Sequence, residues 1–227
     1  MVQYILHLAD NALVLGHRNS EWTGHGPILE QDIAISNIAL DLIGQARNLY
    51  QYAAELIGNG ATEDSLAYFR NANEYRNFLL VEQENGDWGK TILKQFFFSA
   101  YQYPLYQQMQ DDERLKAIAE KSLKEVTYHL RWSSEWVIRL GQGTEESHRR
   151  MTNAINELWK YSGEMLTGKI EEAWHARVNE VLAIAGIKAP ENVEMIYGGK
   201  EGKHTGHLEK LLNEMQYMQR TYPGVEW

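Results

Sequence analysis

The sequence predicts an all-α fold, a four-helix bundle with additional helices at its ends. Apolar residues recur at intervals of three and four through several long runs, and no stretch shows the alternation of a half-buried strand. Glycine or proline clusters separate these runs. No repeat, linker or low-complexity segment divides the chain, so residues 1–227 are expected to form a single helical domain.

The first three predicted helices cover residues 2–18, 28–57 and 63–84. Pro27 suits the start of the second helix, because its fixed backbone angle favours the first helical position. Apolar residues then keep helical spacing for about eight turns, until the Gly-Asn-Gly sequence at 58–60. The third run is apolar on several sides, which is typical of a helix in the centre of a bundle.

Five further helices are expected, at residues 88–110, 113–140, 144–161, 170–186 and 205–220. Pro104 is expected to kink or end the first of them, because proline lacks the N–H that an interior helical position uses. The glycine-rich stretch 191–203 is expected to be irregular. The second to fifth helices are long enough to form two antiparallel hairpins, and these would make the four-helix bundle.

Composition and charge exclude several classes of protein. The net charge is −9 and no long basic run is present, which argues against nucleic acid as a partner. No apolar stretch approaches the ~20 residues of a membrane span, and the N-terminus lacks the basic segment of a secretory signal. The chain has no cysteine, so thiolate metal sites and disulfides are excluded. We expect a cytoplasmic protein whose partners are neither nucleic acid nor membrane.

Two segments carry part of a metal-binding pattern. In ferritin-like di-iron proteins, a Glu and a His three residues apart project from one helix face onto one iron, and two helices carry such a pair. In the segment N-E-Y-R-N, Glu74 is present but Asn77 stands where the His would be. In the segment K-E-V-T-Y, Glu125 is present and Tyr128 stands in that place. Asparagine is a weak iron ligand, and tyrosine would give a different site from imidazole.

The rest of a di-iron ligand set cannot be assembled from this sequence. Asp41 is the nearest carboxylate on the second helix, and the fourth helix has no carboxylate in its middle. A plain solvent-exposed position is the alternative for Glu74. We interpret the candidate residues as degenerate di-iron positions in a chain with no catalytic, cofactor-binding or metal site of its own: Asp41, Glu74, Asn77, Glu125 and Tyr128.

Three other E-x-x-H sequences occur, and all three are interpreted as chance matches on solvated surface. They are Glu145–His148, Glu172–His175 and Glu201–His204. The last lies in the glycine-rich segment 198–204, which matches no phosphate-binding motif and follows no strand. A flexible loop is the favoured interpretation of that segment.

Several segments resemble one known family, the C subunits of bacterial ring 1,2-phenylacetyl-CoA epoxidases. The resemblance covers essentially the whole chain. Its most specific segments are Leu80–Trp88, Leu140–His148, His204–Leu208, Glu214–Gln216 and Tyr222–Trp227. It implies a ferritin-like, structural and non-catalytic subunit of a multicomponent monooxygenase in aerobic phenylacetate degradation.

The resemblance also implies partners and the place of the cofactor. The partner would be a homologous A subunit that holds the di-iron centre and binds phenylacetyl-CoA, while a reductase subunit delivers electrons from NADPH. No cofactor is then expected in this chain. Seven tryptophans, thirteen tyrosines and an aromatic last residue are expected to supply anchors for a partner surface.

Two rival hypotheses stay open at this point. One is a stand-alone metalloenzyme whose ligands come from Glu74, Glu125, Tyr128 and Asp41. The other is a helical binding module with no oxygenase partner. Metal content would separate the structural subunit from the metalloenzyme. A co-purifying homologue with intact E-x-x-H pairs would separate it from the binding module.

Overall fold

The computed structural model describes residues 1–110 and 112–225, and this part of the chain contains helices, turns and no strand. It divides into two compact units. Unit 1 comprises Met1–Glu84 and Gly198–Trp227, and unit 2 comprises Asn85–Tyr197. Unit 2 is therefore inserted in the sequence of unit 1. The all-α prediction is confirmed, while the prediction of one domain over 1–227 stays a prediction.

A helical hairpin forms the main part of unit 1. Its helices are α1 (Val2–Ser20) and α2 (Leu29–Ile57), which pack against each other. Gly16 allows a close approach, since a Cβ there would lie 3.0 Å from Ile43. The carboxylate of Asp32 accepts a hydrogen bond from the N–H of Gly26 at 2.9 Å and so fixes the turn before α2.

The remainder of unit 1 is built from short elements. They are α3 (Glu63–Tyr68), a 3₁₀ turn (Ala72–Glu74), α4 (Leu79–Glu82), a second 3₁₀ turn (Gly199–Glu201), α9 (Gly206–Met215) and α10 (Tyr217–Thr221). The prediction of one long helix over residues 63–84 is wrong. Side chains of α1 bind the backbone of this segment: Asp10 accepts from the N–H of Arg76, and Asn11 accepts from the N–H of Phe78. These amides are thus satisfied outside any helix.

Unit 2 contains a second helical hairpin, with two more helices packed on it. The hairpin is formed by α5 (Trp88–Gln108) and α6 (Glu113–Gly141), and the packed helices are α7 (Glu145–Leu158) and α8 (Lys169–Ala185). Trp174 of α8 lies 5.2 Å from Phe97 and 5.7 Å from Trp159 between ring centroids, and its indole N–H donates to the carbonyl oxygen of Phe97. This aromatic cluster joins α8 to the hairpin.

The helix content agrees with the predicted class, although the identity of one long helix was wrong. In the described part of the chain, four long helices and several shorter flanking ones are present, as a ferritin-like chain requires. The long ones are α1, α2, α5 and α6, and the helix predicted for residues 63–84 is not among them. Pro104 lies inside α5 and does not end it. Among the described residues, no helix combines the length and the apolar character needed to cross a membrane.

Candidate functional site

Glu74 and Asn77 do not share a helix face. Glu74 ends the first 3₁₀ turn, is exposed, and accepts the N–H of Asn71 at 2.8 Å. Asn77 is fully buried, and its amide nitrogen donates to Glu82 at 2.9 Å and to the carbonyl oxygen of Phe78 at 3.0 Å. The prediction that both side chains project from one helix is therefore wrong, because the backbone between them is not helical.

The other three degenerate positions do lie on long helices. Asp41 is half-buried on α2, and Glu125 is half-buried on α6. Tyr128, also on α6, is 40% exposed, whereas the next residue, His129, is fully buried. Their rings meet edge-on with centroids 6.2 Å apart. No group of three or more His, Asp or Glu side chains within residues 1–110 and 112–225 is placed to hold a metal ion.

Two of the E-x-x-H matches occupy surface positions, as predicted. Glu145 is exposed in the first turn of α7, where His148 donates from Nδ1 to the carbonyl oxygen of Gly141 at 2.7 Å. Glu172 is exposed on α8, and His175 is half-buried. The first match therefore secures a helix connection, and neither match assembles a ligand set.

The third match, Glu201–His204, was predicted to lie on solvated surface in a flexible loop, and this prediction is wrong. Gly199 and Gly202 lie so close to the 73–77 backbone that a Cβ would meet the carbonyl oxygens of Asn77 and Asn73 at 2.1 and 2.2 Å. The φ angle of Gly202 is +77°, which favours glycine. The segment is a closely packed turn rather than a flexible loop. His204, which follows it, has a side chain only 3% exposed.

Glu82 is the centre of a buried polar cluster in unit 1. Its Oε1 accepts from the backbone N–H and the hydroxyl of Thr205, both at 2.7 Å, and Thr205 is the N-cap of α9. Its Oε2 accepts from Asn77 at 2.9 Å and from Nδ1 of His204 at 2.7 Å. Burial lowers the pKa of His204, but the hydrogen bond and charge of Glu82 outweigh burial, so the pKa is raised above 6.5.

A second buried carboxylate, Asp10, holds the segment that follows α3. Arg70 pairs with both of its oxygens, and the hydroxyl of Tyr50 donates to Oδ1 at 2.5 Å. The N–H of Arg76 donates to Oδ2 at 2.8 Å. The guanidinium of Arg70 also lies over the ring of Tyr75, 4.2 Å from its centroid. Burial raises the pKa of Tyr50, so its hydroxyl remains a donor to Asp10.

The hydrogen bonds of Asp10 and Glu82 suit a role in holding unit 1 together rather than a role in metal binding. Each oxygen of Asp10 and of Glu82 accepts two hydrogen bonds from protein donors. Their lone pairs are thereby engaged, and none is left over for a metal. Both residues were missed in the sequence, although each is an acidic residue inside an apolar run, L-A-D-N-A-L around Asp10 and L-L-V-E around Glu82.

Comparison with known proteins adds the family. The model for the family described as "Phenylacetic acid catabolic protein" matches residues 1–172 and 167–227. The chain belongs to the phenylacetic acid catabolic protein family. The C subunit of the 1,2-phenylacetyl-CoA epoxidase of Escherichia coli (strain K12) is 42% identical over an alignment of 246 positions. That alignment covers 100% of this chain and 99% of the relative.

The resemblance noted in the sequence is therefore confirmed, and two of its segments meet in this family member. Leu80–Trp88 contains Glu82, and His204–Leu208 contains two of the three residues that donate to it, His204 and Thr205. The closing segment Tyr222–Trp227 is described as far as Val225. Its last residue, which was predicted to anchor a partner, lies outside the described residues.

Proposed function

We propose that this chain is a structural, non-catalytic subunit of a multicomponent phenylacetyl-CoA epoxidase. The observation that carries the proposal is the full-length similarity to the C subunit of the Escherichia coli epoxidase. In this proposal the chain supports a homologous di-iron subunit, and a reductase subunit supplies the electrons. The complex acts in phenylacetate degradation in the cytoplasm.

The degenerate positions support the assignment of the chemistry to a partner. Asn77 replaces the histidine of one E-x-x-H pair, and its amide is engaged by the carboxylate of Glu82. Glu74, which would be the first ligand of that pair, caps a turn in solvent. Tyr128 replaces the second histidine and is 40% exposed. An oriented and complete ligand set is what a di-iron centre needs, and these residues do not provide one.

Co-expression with a metal-bearing homologue tests the proposal. The homologue should carry two intact E-x-x-H pairs and come from the same genome. We expect one complex on size-exclusion chromatography, with iron in the homologue and none bound stoichiometrically by this chain after separation. We also expect phenylacetyl-CoA epoxidation by the homologue and reductase to depend on this chain. Full turnover in its absence would contradict the structural role.

The iron content of the isolated chain also distinguishes the structural subunit from the rival metalloenzyme. That rival takes its ligands from Glu74, Glu125 and Tyr128, with Asp41 as an additional candidate. About two irons per isolated chain, retained through desalting, would favour it over the structural subunit. The exposed, turn-capping position of Glu74 supports the opposite expectation.

A further inference from the structure

The outer side of α2 carries an apolar seam where solvent would be expected. Three aliphatic side chains on it are largely exposed: Leu29 at 72%, Ile33 at 52% and Leu40 at 67%. Ser36 and Ile43 are half-buried and lie between and beyond them. We call Leu29, Ile33, Ser36, Leu40 and Ile43 the α2 seam. Its residues are spaced by four, three, four and three positions, which is the a/d spacing of a coiled coil.

The seam lacks the charges that normally cover a solvent-facing helix. Between the exposed Glu30 and the exposed Arg47, the only exposed residues of α2 are Ile33, Asn37, Leu40 and Gly44. None of them is charged. Gly44 also has open space above it, since a Cβ there would meet no atom within 4 Å. An uncharged stripe with a gap in it can admit another helix at close range.

The support beneath the seam is well packed. On the opposite side of α2, Ile35, Ile38 and Leu42 are all fully buried. The close approach of α1 at Gly16 places its backbone against Ile43 and Ala39. The seam therefore belongs to a tightly packed hairpin, and a partner that binds it need not order a loose element.

We propose that the α2 seam is the docking surface for an α-helix of the metal-bearing partner subunit. The proposal rests on the proposed function, because that function supplies the partner. Spacing of 3.5 residues favours an α-helix packed nearly parallel or antiparallel to α2, at a crossing angle of about 20°. From Leu29 to Ile43 the seam is about 21 Å long, enough for four turns of such a helix.

Charge favours a different subunit over a second copy of this chain. The net charge is −9, which opposes self-association. Near the seam lie Glu30, Asp32 and Asp41, and the basic residue at its far end, Arg47, is 3.5 Å from Glu63. A second copy would bring the same acidic rim to the contact. The complementary occupant is an apolar helix with lysine or arginine at its edges.

Seam variants of the full chain, co-expressed with the metal-bearing homologue, test this inference. Ile33→Glu with Leu40→Glu places two charges in the seam, and Gly44→Gln fills the gap with a good helix former. Both should leave the helical circular dichroism and melting temperature of the isolated chain near those of the wild type, because the sites are exposed. Binding to the homologue should weaken at least ~10-fold in each, as for truncation of a central contact.

Ile184→Glu is the matched control. Ile184 is also an exposed aliphatic residue, 48% exposed, and lies on α8 of unit 2. It should retain the wild-type affinity. If the seam variants bind the homologue as well as the wild type does, or if Ile184→Glu weakens binding equally, the docking assignment is overturned. It is also overturned if the seam variants abolish only self-association of this chain. A wild-type chain that forms no complex at all would instead refute the proposed function.

Discussion

His204 and Glu82 form a buried pair in which both imidazole nitrogens face an acceptor. Nδ1 lies 2.7 Å from the carboxylate of Glu82, and Nε2 lies 3.1 Å from the carbonyl oxygen of Tyr75. A neutral imidazole has one N–H, so satisfying both contacts requires the charged, doubly protonated ring. When the segment from Gly198 onward is folded against the rest of unit 1, the imidazole of His204 therefore keeps a proton. In the unfolded chain the same imidazole loses this proton near neutral pH.

The first prediction concerns pH. The folded pKa of His204 is raised above 6.5, with burial opposing and Glu82 and Asp10 favouring the charged form. Its contribution to stability is fully present below pH 6.5 and is lost as pH rises through the raised pKa. Protection of the 198–221 amides from hydrogen exchange should fall on the alkaline side, by up to about tenfold per pH unit.

Two variants isolate that effect. His204→Gln should flatten the alkaline dependence, because its amide does not titrate. His207→Gln is the control. The side chain of His207 is 40% exposed and lies 3.5 Å from the exposed carboxylate of Glu84, so it is not a buried pair. An unchanged alkaline slope in the His204 variant would show that another group carries the proton.

The second prediction removes the charge of Glu82 and keeps its shape. Glu82→Gln should lower the free energy of unfolding by about 3 kcal/mol, because it breaks a fully buried pair from one side. Glu84→Gln is the matched control, and its pairing with Lys210 at 3.1 Å is exposed, so little change is expected. Urea denaturation at pH 6.5 measures both. If both variants lower the free energy of unfolding equally, the larger effect expected for the buried Glu82 is wrong.

The third prediction is strong coupling between Asp10 and Arg70. Both side chains are buried, at 0% and 10% exposure, and the guanidinium contacts both carboxylate oxygens. Asp10→Asn should cost about 3 kcal/mol of stability, and much less once Arg70→Met is also present. A double-mutant cycle in urea gives the coupling energy. The exposed pair Glu146–Arg149 is the control and should show no measurable coupling energy. If the changes in unfolding free energy at Asp10 and Arg70 simply add, the prediction is wrong.

The fourth prediction tests the close packing of the glycine turn. Gly199→Ala should destabilise unit 1 by about 1–3 kcal/mol, because the new methyl would clash with the carbonyl oxygen of Asn77. Gly206→Ala, in the first turn of α9 with open space around it, should be neutral or slightly stabilising. Thermal unfolding compares them. A neutral Gly199→Ala would mean that the 198–204 turn is loosely held.

The fifth prediction concerns restored histidines. Asn77→His with Tyr128→His should not create a di-iron site in the isolated chain. Residue 77 lies outside any helix beside the saturated carboxylate of Glu82, and residue 128 is at the surface of α6. Iron analysis after expression in iron-rich medium tests it. Tight binding of about two irons would show that the ligand set is more complete than these positions indicate.

Local signals explain which elements the sequence predicted well. The ends of α2, α6 and α8 follow from Gly58, the Gly-Gln-Gly sequence at 141–143 and Gly186. The starts of α5 and α7 follow from the capping residues Asp87 and Thr144. Each signal acts within a few residues of the end it marks. The interpretation of Asn77 and Tyr128 as replaced histidines stays a prediction, and the shared helix face that it assumed for Glu74 and Asn77 is absent.

Long-range contacts explain what the sequence did not predict. The 63–84 run has helical spacing, but its backbone is bound by Asp10 and Asn11, more than sixty positions earlier. The partner of Glu82 lies 122 positions later, at His204. Tertiary hydrogen bonds of this kind override local helix preference, and a single sequence carries no sign of which distant residues will meet.

The insertion of unit 2 within unit 1 has a consequence for synthesis on the ribosome. Glu82 is made early, but His204 and Thr205, which donate hydrogen bonds to its carboxylate, emerge only after all of Asn85–Tyr197. At typical rates of elongation this interval is on the order of ten seconds. During this interval the carboxylate of Glu82, in α4 of the incomplete unit 1, lacks the hydrogen bonds from Thr205. Unit 2 has its whole sequence before unit 1 does, so it can finish folding first.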